Sequence, residues 1–112
     1  MKKKTHSDYL KIVEWSEEDN CYIGTSPGLF EGGVHGKNEE QVFHNLCEVV
    51  EDVIKTMQKY GKVLPKPTSN KKYSGKIALR INPSLHKAIA IRALQNGESV
   101  NKLISHKLEA VV

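Results

Sequence analysis

Lys76-Ile77-Ala78-Leu79-Arg80-Ile81-Asn82 alternates polar and apolar residues, the period of a β-strand with one buried face. Ile77, Leu79 and Ile81 fall on one side, and Lys76, Ala78 and Arg80 on the other. Next, Asn82 is placed to cap a helix whose first turn holds Pro83, where a missing N–H costs nothing. Leu85, Ala88, Ile89 and Ala93 mark the buried stripe of that helix. Gly97 ends it, and Ser99 caps a second helix carrying Val100, Leu103, Ile104, Leu108 and Val111. A strand and two helices in the 37 residues 76–112 cannot bury a sufficient core alone. Below about 40 residues, oligomers, metals or disulfides are usually needed. The segment has no cysteine and no metal-ligand spacing, so a second copy of it is the expected partner. The expected dimer core is Ile77, Leu79, Ile81, Leu85, Ile89, Leu103, Ile104 and Leu108.

Upstream the pattern changes. Tyr9 to Trp15 is rich in β-branched and aromatic residues and reads as a strand. The polar run Ser16-Glu17-Glu18-Asp19-Asn20 turns it into a second strand, Cys21–Thr25, which Ser26-Pro27-Gly28 breaks. A glycine-rich piece, Gly32-Gly33-Val34-His35-Gly36, supplies a third strand. Asn38 then caps a helix, with Gln41 reaching back as in a capping box and Glu39 and Glu40 favoured by the helix dipole. Val42, Leu46, Val49, Val50, Val53, Ile54 and Met57 follow at helical spacing, and Gly61 is free to adopt the left-handed stop. The expectation is an α+β unit over 1–64, a proline-bearing linker over 65–75, and the strand-helix-helix unit over 76–112.

Charge is divided unevenly between these parts. Residues 1–64 carry 8 Lys/Arg against 11 Asp/Glu, and residues 65–112 carry 9 against 2. A basic end suits nucleic acid, and an acidic end suits a basic partner. No apolar run reaches the ~18 residues of a membrane span. No apolar stretch follows Met1-Lys2-Lys3-Lys4, so no secretory signal is expected. Cys21 and Cys47 show no metal-binding spacing, which points to free thiols in a reducing cytoplasm. No cofactor is expected.

Paired with a symmetry mate, the strand at 76–82 would form a two-stranded antiparallel ribbon showing its Lys76/Ala78/Arg80 face to solvent. Such a ribbon fits the DNA major groove, where arginine can donate two bonds to guanine. The start of the last helix, Ser99-Val100-Asn101, offers free N–H groups and a positive dipole end to a phosphate.

Ile77-Ala78-Leu79-Arg80-Ile81, Asn82-Pro83-Ser84-Leu85-His86 and Asn96-Gly97-Glu98-Ser99-Val100-Asn101 together resemble the ribbon-helix-helix superfamily of Arc and MetJ. The whole layout, with its N-terminal hairpin, capped helix and proline linker, resembles HicB antitoxins that carry this tail. The resemblance implies a partial RNase H-like N-terminal domain that covers a small basic HicA-type toxin, an RNase that cleaves mRNA. It also implies a tail homodimer, with higher assembly open, that binds operator DNA and represses its own operon. In that layout Lys76, Ala78 and Arg80 face the bases, and Ser99 and Asn101 lie at the phosphate-contacting helix start. Ala78 departs from the usual polar residue and can offer a thymine methyl only an apolar contact.

Two other functions fit parts of the chain. One is a solitary repressor whose N-terminal domain senses a ligand. The other is a metal-dependent nuclease using Glu14, Glu48, Glu51 and Asp52. Glu48, Glu51 and Asp52 fall opposite the apolar helix stripe, the ordinary place for solvated charges, so no catalytic residues are expected. His44 and Cys47 share a helix face, but two ligands do not make a metal site. His86 and His106 read as packing or surface residues, and Glu17, Glu18 and Asp19 as a solvated turn that could face a basic toxin.

Overall fold

The computed structural model describes residues 6–112 of the chain. Met1-Lys2-Lys3-Lys4, on which the expectation about a secretory signal rests, lies outside the described residues. The chain forms two compact units that meet in sequence between Tyr73 and Ser74. The secondary structure is α+β, with one three-stranded antiparallel sheet and three α-helices. No described helix is long and apolar enough to cross a membrane.

In the first unit, β1 (Ile12–Ser16), β2 (Cys21–Thr25) and β3 (Val34–Gly36) lie in the order β1-β2-β3. Val13 pairs with Gly24 and Gly24 with Val34, while Trp15 pairs with Tyr22 and Tyr22 with Gly36. The β1–β2 turn closes because the Asp19 amide donates to Ser16 Oγ (3.2 Å) and Asn20 adopts a left-handed φ of 51°. Asparagine tolerates that conformation better than most residues. Thus Asp19 is engaged in shaping the turn.

One helix, α1 (Glu39–Lys59), covers the sheet. Val42, Leu46, Val50 and Ile54 recur every four residues and are buried, whereas Val49, Val53 and Met57 flank them half-buried. Gly24 permits this approach. A Cβ there would stand 3.1 Å from Val42 Cγ1 and 3.2 Å from Leu46 Cδ2, so even an alanine would force these side chains to give by a few tenths of an ångström. Asn38 Oδ1 caps the helix by accepting from the Gln41 amide at 2.9 Å. The reciprocal half of the expected capping box is not formed, because the Gln41 side chain donates instead to Asn45 Oδ1 one turn on (3.2 Å). At the other end the Lys62 amide donates to Met57 O and the Gly61 amide to Gln58 O, the paired bonds of a Schellman stop.

β1 begins at Ile12, three residues later than the β-branched and aromatic content suggests, because Tyr9 turns inward. It leaves a 3₁₀ turn (His6–Asp8) and packs with Leu46, Val50 and Ile54. Its hydroxyl donates to Pro65 O at 2.7 Å. This bond belongs to a strap. After α1 the chain returns across the unit, packing Leu64 on the core, burying Pro67, and donating from Ser69 Oγ to Asp8 O at 2.7 Å. The first part of the expected linker is therefore built into the first unit.

The strap makes a stability prediction. Burial first, and the Asp8 carboxylate second, push the Tyr9 phenol above its ordinary value of 10.0. A raised phenol pKa means that folding favours the neutral form. The contribution is complete below about pH 10 and is lost as pH rises through the folded-state value. Tyr9→Phe is expected to lower stability at neutral pH by about 0.5–1.5 kcal/mol through the lost bond to Pro65. It should also flatten the alkaline decline in urea midpoint relative to the wild type. Parallel curves above pH 10 for the two proteins would refute this.

In the second unit, α2 (Pro83–Asn96) and α3 (Val100–Val111) are each capped as the sequence suggests. Asn82 Oδ1 accepts from the Leu85 amide (2.8 Å), and Ser99 Oγ accepts from the Lys102 amide (3.0 Å). Gly97, at φ 65°, stops α2 while the Glu98 amide donates to Ala93 O (3.0 Å). Residues 76–82 join no sheet, contrary to the strand expected there. The physical reason is simple. A lone strand has no neighbour to exchange ladder bonds with, and residues 76–82 pair with none of β1, β2 and β3.

Candidate nucleic-acid interface

Alternation at 76–82 gives the isolated chain no inside and outside. Lys76, Ala78 and Arg80 are exposed, but Ile77 is also 82% exposed and Leu79 65%. Ile81 is half-buried, and the Lys76 amide donates to Ser74 Oγ at 3.1 Å. Large apolar side chains this open are unusual on a soluble surface when they cluster.

The two helices that follow in sequence are similarly open. Among the expected core residues, Leu103 is buried and Ile89 and Ile104 are half-buried, while Leu85 is 46% and Leu108 50% exposed. Ile89, Leu103, Ile104 and Leu108 line one groove of about 430 Å³ with Ala88 and the stems of Arg92 and Lys107. Ile91 (45% exposed) and Leu94 (81%) add apolar surface beyond the expected stripe. Ile89, Leu103, Ile104 and Leu108, four residues of the expected dimer core, line this one groove within a single chain, whereas the sequence pattern does not mark Ile91 and Leu94.

At the start of α3, the Lys102 and Leu103 amides are both taken by Ser99, through its hydroxyl and its carbonyl. That leaves the first-turn amides of Val100 and Asn101 without intrahelical acceptors, beside the positive end of the helix dipole. Asn101 is exposed and Val100 half-buried. Behind this turn His106 Nδ1 lies 4.0 Å from Glu98 Oε2, tying α3 back to its own N-terminal approach.

The first unit offers carboxylates without a shared centre. Glu51 accepts from the His6 amide, Glu48 lies 3.1 Å from His44 Nε2, and Asp52 is exposed. His6, Phe43, His44, Cys47 and these three acids line a shallow concavity on α1. Glu14 is exposed on β1, pairing with Ile23 on the face opposite Val13. Among the described residues no group of three or more His, Cys, Asp or Glu side chains is arranged to hold a metal ion. Cys21 and Cys47 are free thiols.

What the sequence reading missed is the strap. Its anchor, the Tyr9 hydroxyl on Pro65 O, joins residues 56 positions apart, and no local pattern signals such a contact.

Residues 64–108 match the family model for the HicB family. The HicB match opens at Leu64 in the strap, takes in the exposed alternating run and α2, and closes at Leu108 in α3. The three-stranded sheet and α1 lie outside it. No curated protein and no solved structure matches the chain.

Proposed function

We propose that the chain is a HicB-type antitoxin that neutralises a HicA-type mRNA-cleaving toxin by occlusion and represses its own operon. The observation that carries this reading is the coincidence of the HicB match with an apolar surface that a single chain leaves uncovered. Two copies pair through residues 76–82 into a ribbon, which supplies the missing ladder bonds and covers Ile77, Leu79 and the α2–α3 groove. Lys76, Ala78 and Arg80 then face the bases, and the amides of Val100 and Asn101 meet phosphates. Repression follows because a bound dimer excludes polymerase from the operator.

In this reading the first unit, a partial RNase H-like fold, binds rather than catalyses. Its carboxylates Glu48 and Glu51 are engaged by His44 and the His6 amide, which supports a binding role. Its exposed Glu17 and Glu18 suit a basic toxin. A second reading, a solitary repressor with a ligand-sensing first unit, draws on the HicB match leaving that unit out.

Co-expression with any short basic protein encoded beside this gene separates the two, and a gene with no such neighbour favours the solitary repressor. Stable co-purification together with suppression of RNA cleavage is the expected result. A protein that binds its own promoter but ignores that neighbour would establish the solitary repressor instead.

A further inference from the structure

Between residues 53 and 97 the chain contains ten Lys/Arg and no Asp or Glu. The remaining residues hold the other seven basic side chains and all thirteen acidic ones. Four of the ten, Lys71, Lys72, Lys76 and Arg80, lie within ten residues that form no helix or strand, and all are exposed. The ion pairs found among the described residues, His44–Glu48 and His106–Glu98, involve neither lysine nor arginine. This acid-free segment is thus a run of uncompensated positive charge.

The chain leading into Lys72 is also tied down, up to and including Lys71. The strap is fixed just before them by buried Pro67 and by the Ser69 hydroxyl on Asp8 O. The Lys71 amide donates to Thr68 O at 3.4 Å, and its ammonium sits 5.5 Å from the centre of the Tyr73 ring. Ordering a charged segment before binding reduces the entropy lost on binding.

We infer that Lys71 and Lys72 form a phosphate-binding arm that clamps the DNA backbone beside the groove entered by the ribbon. The inference rests on the proposed reading of DNA by Lys76 and Arg80. Covalent reach supports it. Four residues separate Lys72 from Lys76, at most about 13–14 Å of extended chain. The major groove is about 12 Å wide. A chain whose Lys76 stands at base edges can therefore reach the phosphate rim with Lys72, and with Lys71 one residue beyond it. The arm contributes affinity without sequence information, because phosphates are the same at every base pair.

Salt dependence of binding to the protein's own promoter DNA tests the arm, using the full chain and fluorescence anisotropy. Each phosphate contact contributes about 0.9 to the slope of log affinity against log salt, so two lysines in each of two copies contribute about 3.6. The double variant Lys71→Gln/Lys72→Gln is expected to lower the slope by nearly that amount and to weaken specific and random DNA by the same factor. Lys71→Arg/Lys72→Arg should retain the wild-type slope. A wild-type slope in the glutamine variant, with DNA still bound, overturns the arm and leaves ribbon readout standing. Weakening confined to the promoter sequence overturns it too, since that would make these lysines base readers. A wild-type chain that binds no DNA removes both readings together.

Discussion

Leu46→Ala is expected to unfold the first unit at ambient temperature or bring it to the edge of doing so. Leu46 is fully buried at the centre of α1 and packs with Tyr9, Val50 and Ile54. It also lies against Gly24, where helix and sheet approach closely. Truncating a buried leucine costs about 2–5 kcal/mol, from lost transfer energy and from the cavity left behind. A unit of about this size buries only ~60% of its chain surface and is correspondingly marginal. Relaxation into the cavity is limited on the sheet side, because Gly24 has no side chain to move inward. Trp15 is the only tryptophan and sits on β1, so its fluorescence during urea unfolding reports this unit. Neighbouring Phe43, 47% exposed on the same helix, is the control, and Phe43→Ala should shift the midpoint far less. Equal shifts for the two variants would mean that the core is not centred on Leu46.

Arg80→Ala is expected to abolish much of the discrimination between promoter and random DNA while leaving the fold unchanged. Arg80 is exposed, and among the described residues it has no ion pair to lose. One bidentate arginine–guanine contact supplies about 1–3 kcal/mol of discrimination, roughly 5- to 150-fold. A symmetric dimer would lose two such contacts. Competition between promoter and scrambled duplex at fixed salt measures the ratio directly. An unchanged sequence preference would sink readout by the ribbon. The signature differs from that of Lys71 and Lys72, whose replacement should alter the salt slope and leave the preference alone.

Much of this was legible in local pattern. The caps at Asn38, Asn82 and Ser99 and the stops at Gly61 and Gly97 all occur where the residue types suggest, because capping is settled within four or five residues. The Cys21–Thr25 strand and the buried Val42/Leu46/Val50/Ile54 stripe were readable for the same reason. Elsewhere local preference lost to distant contacts. Tyr9 looks like the start of a strand, yet the free energy of burying its ring and bonding Pro65 outweighs extending β1 by three residues. Gln41 matches a capping box, yet Asn45 offers its side chain a competing partner.

The sequence by itself determined the three caps, the helix stops, the sheet-covering stripe and the alternation at 76–82, since each depends on neighbours within a turn or a pleat. Tertiary structure alone decided that residues 64–70 fold back as a strap, because that depends on Tyr9 and Asp8 meeting a segment more than fifty positions away. It also decided that the alternating run, standing alone, buries neither face. Ladder hydrogen bonds need a second strand, and among the described residues none pairs with 76–82.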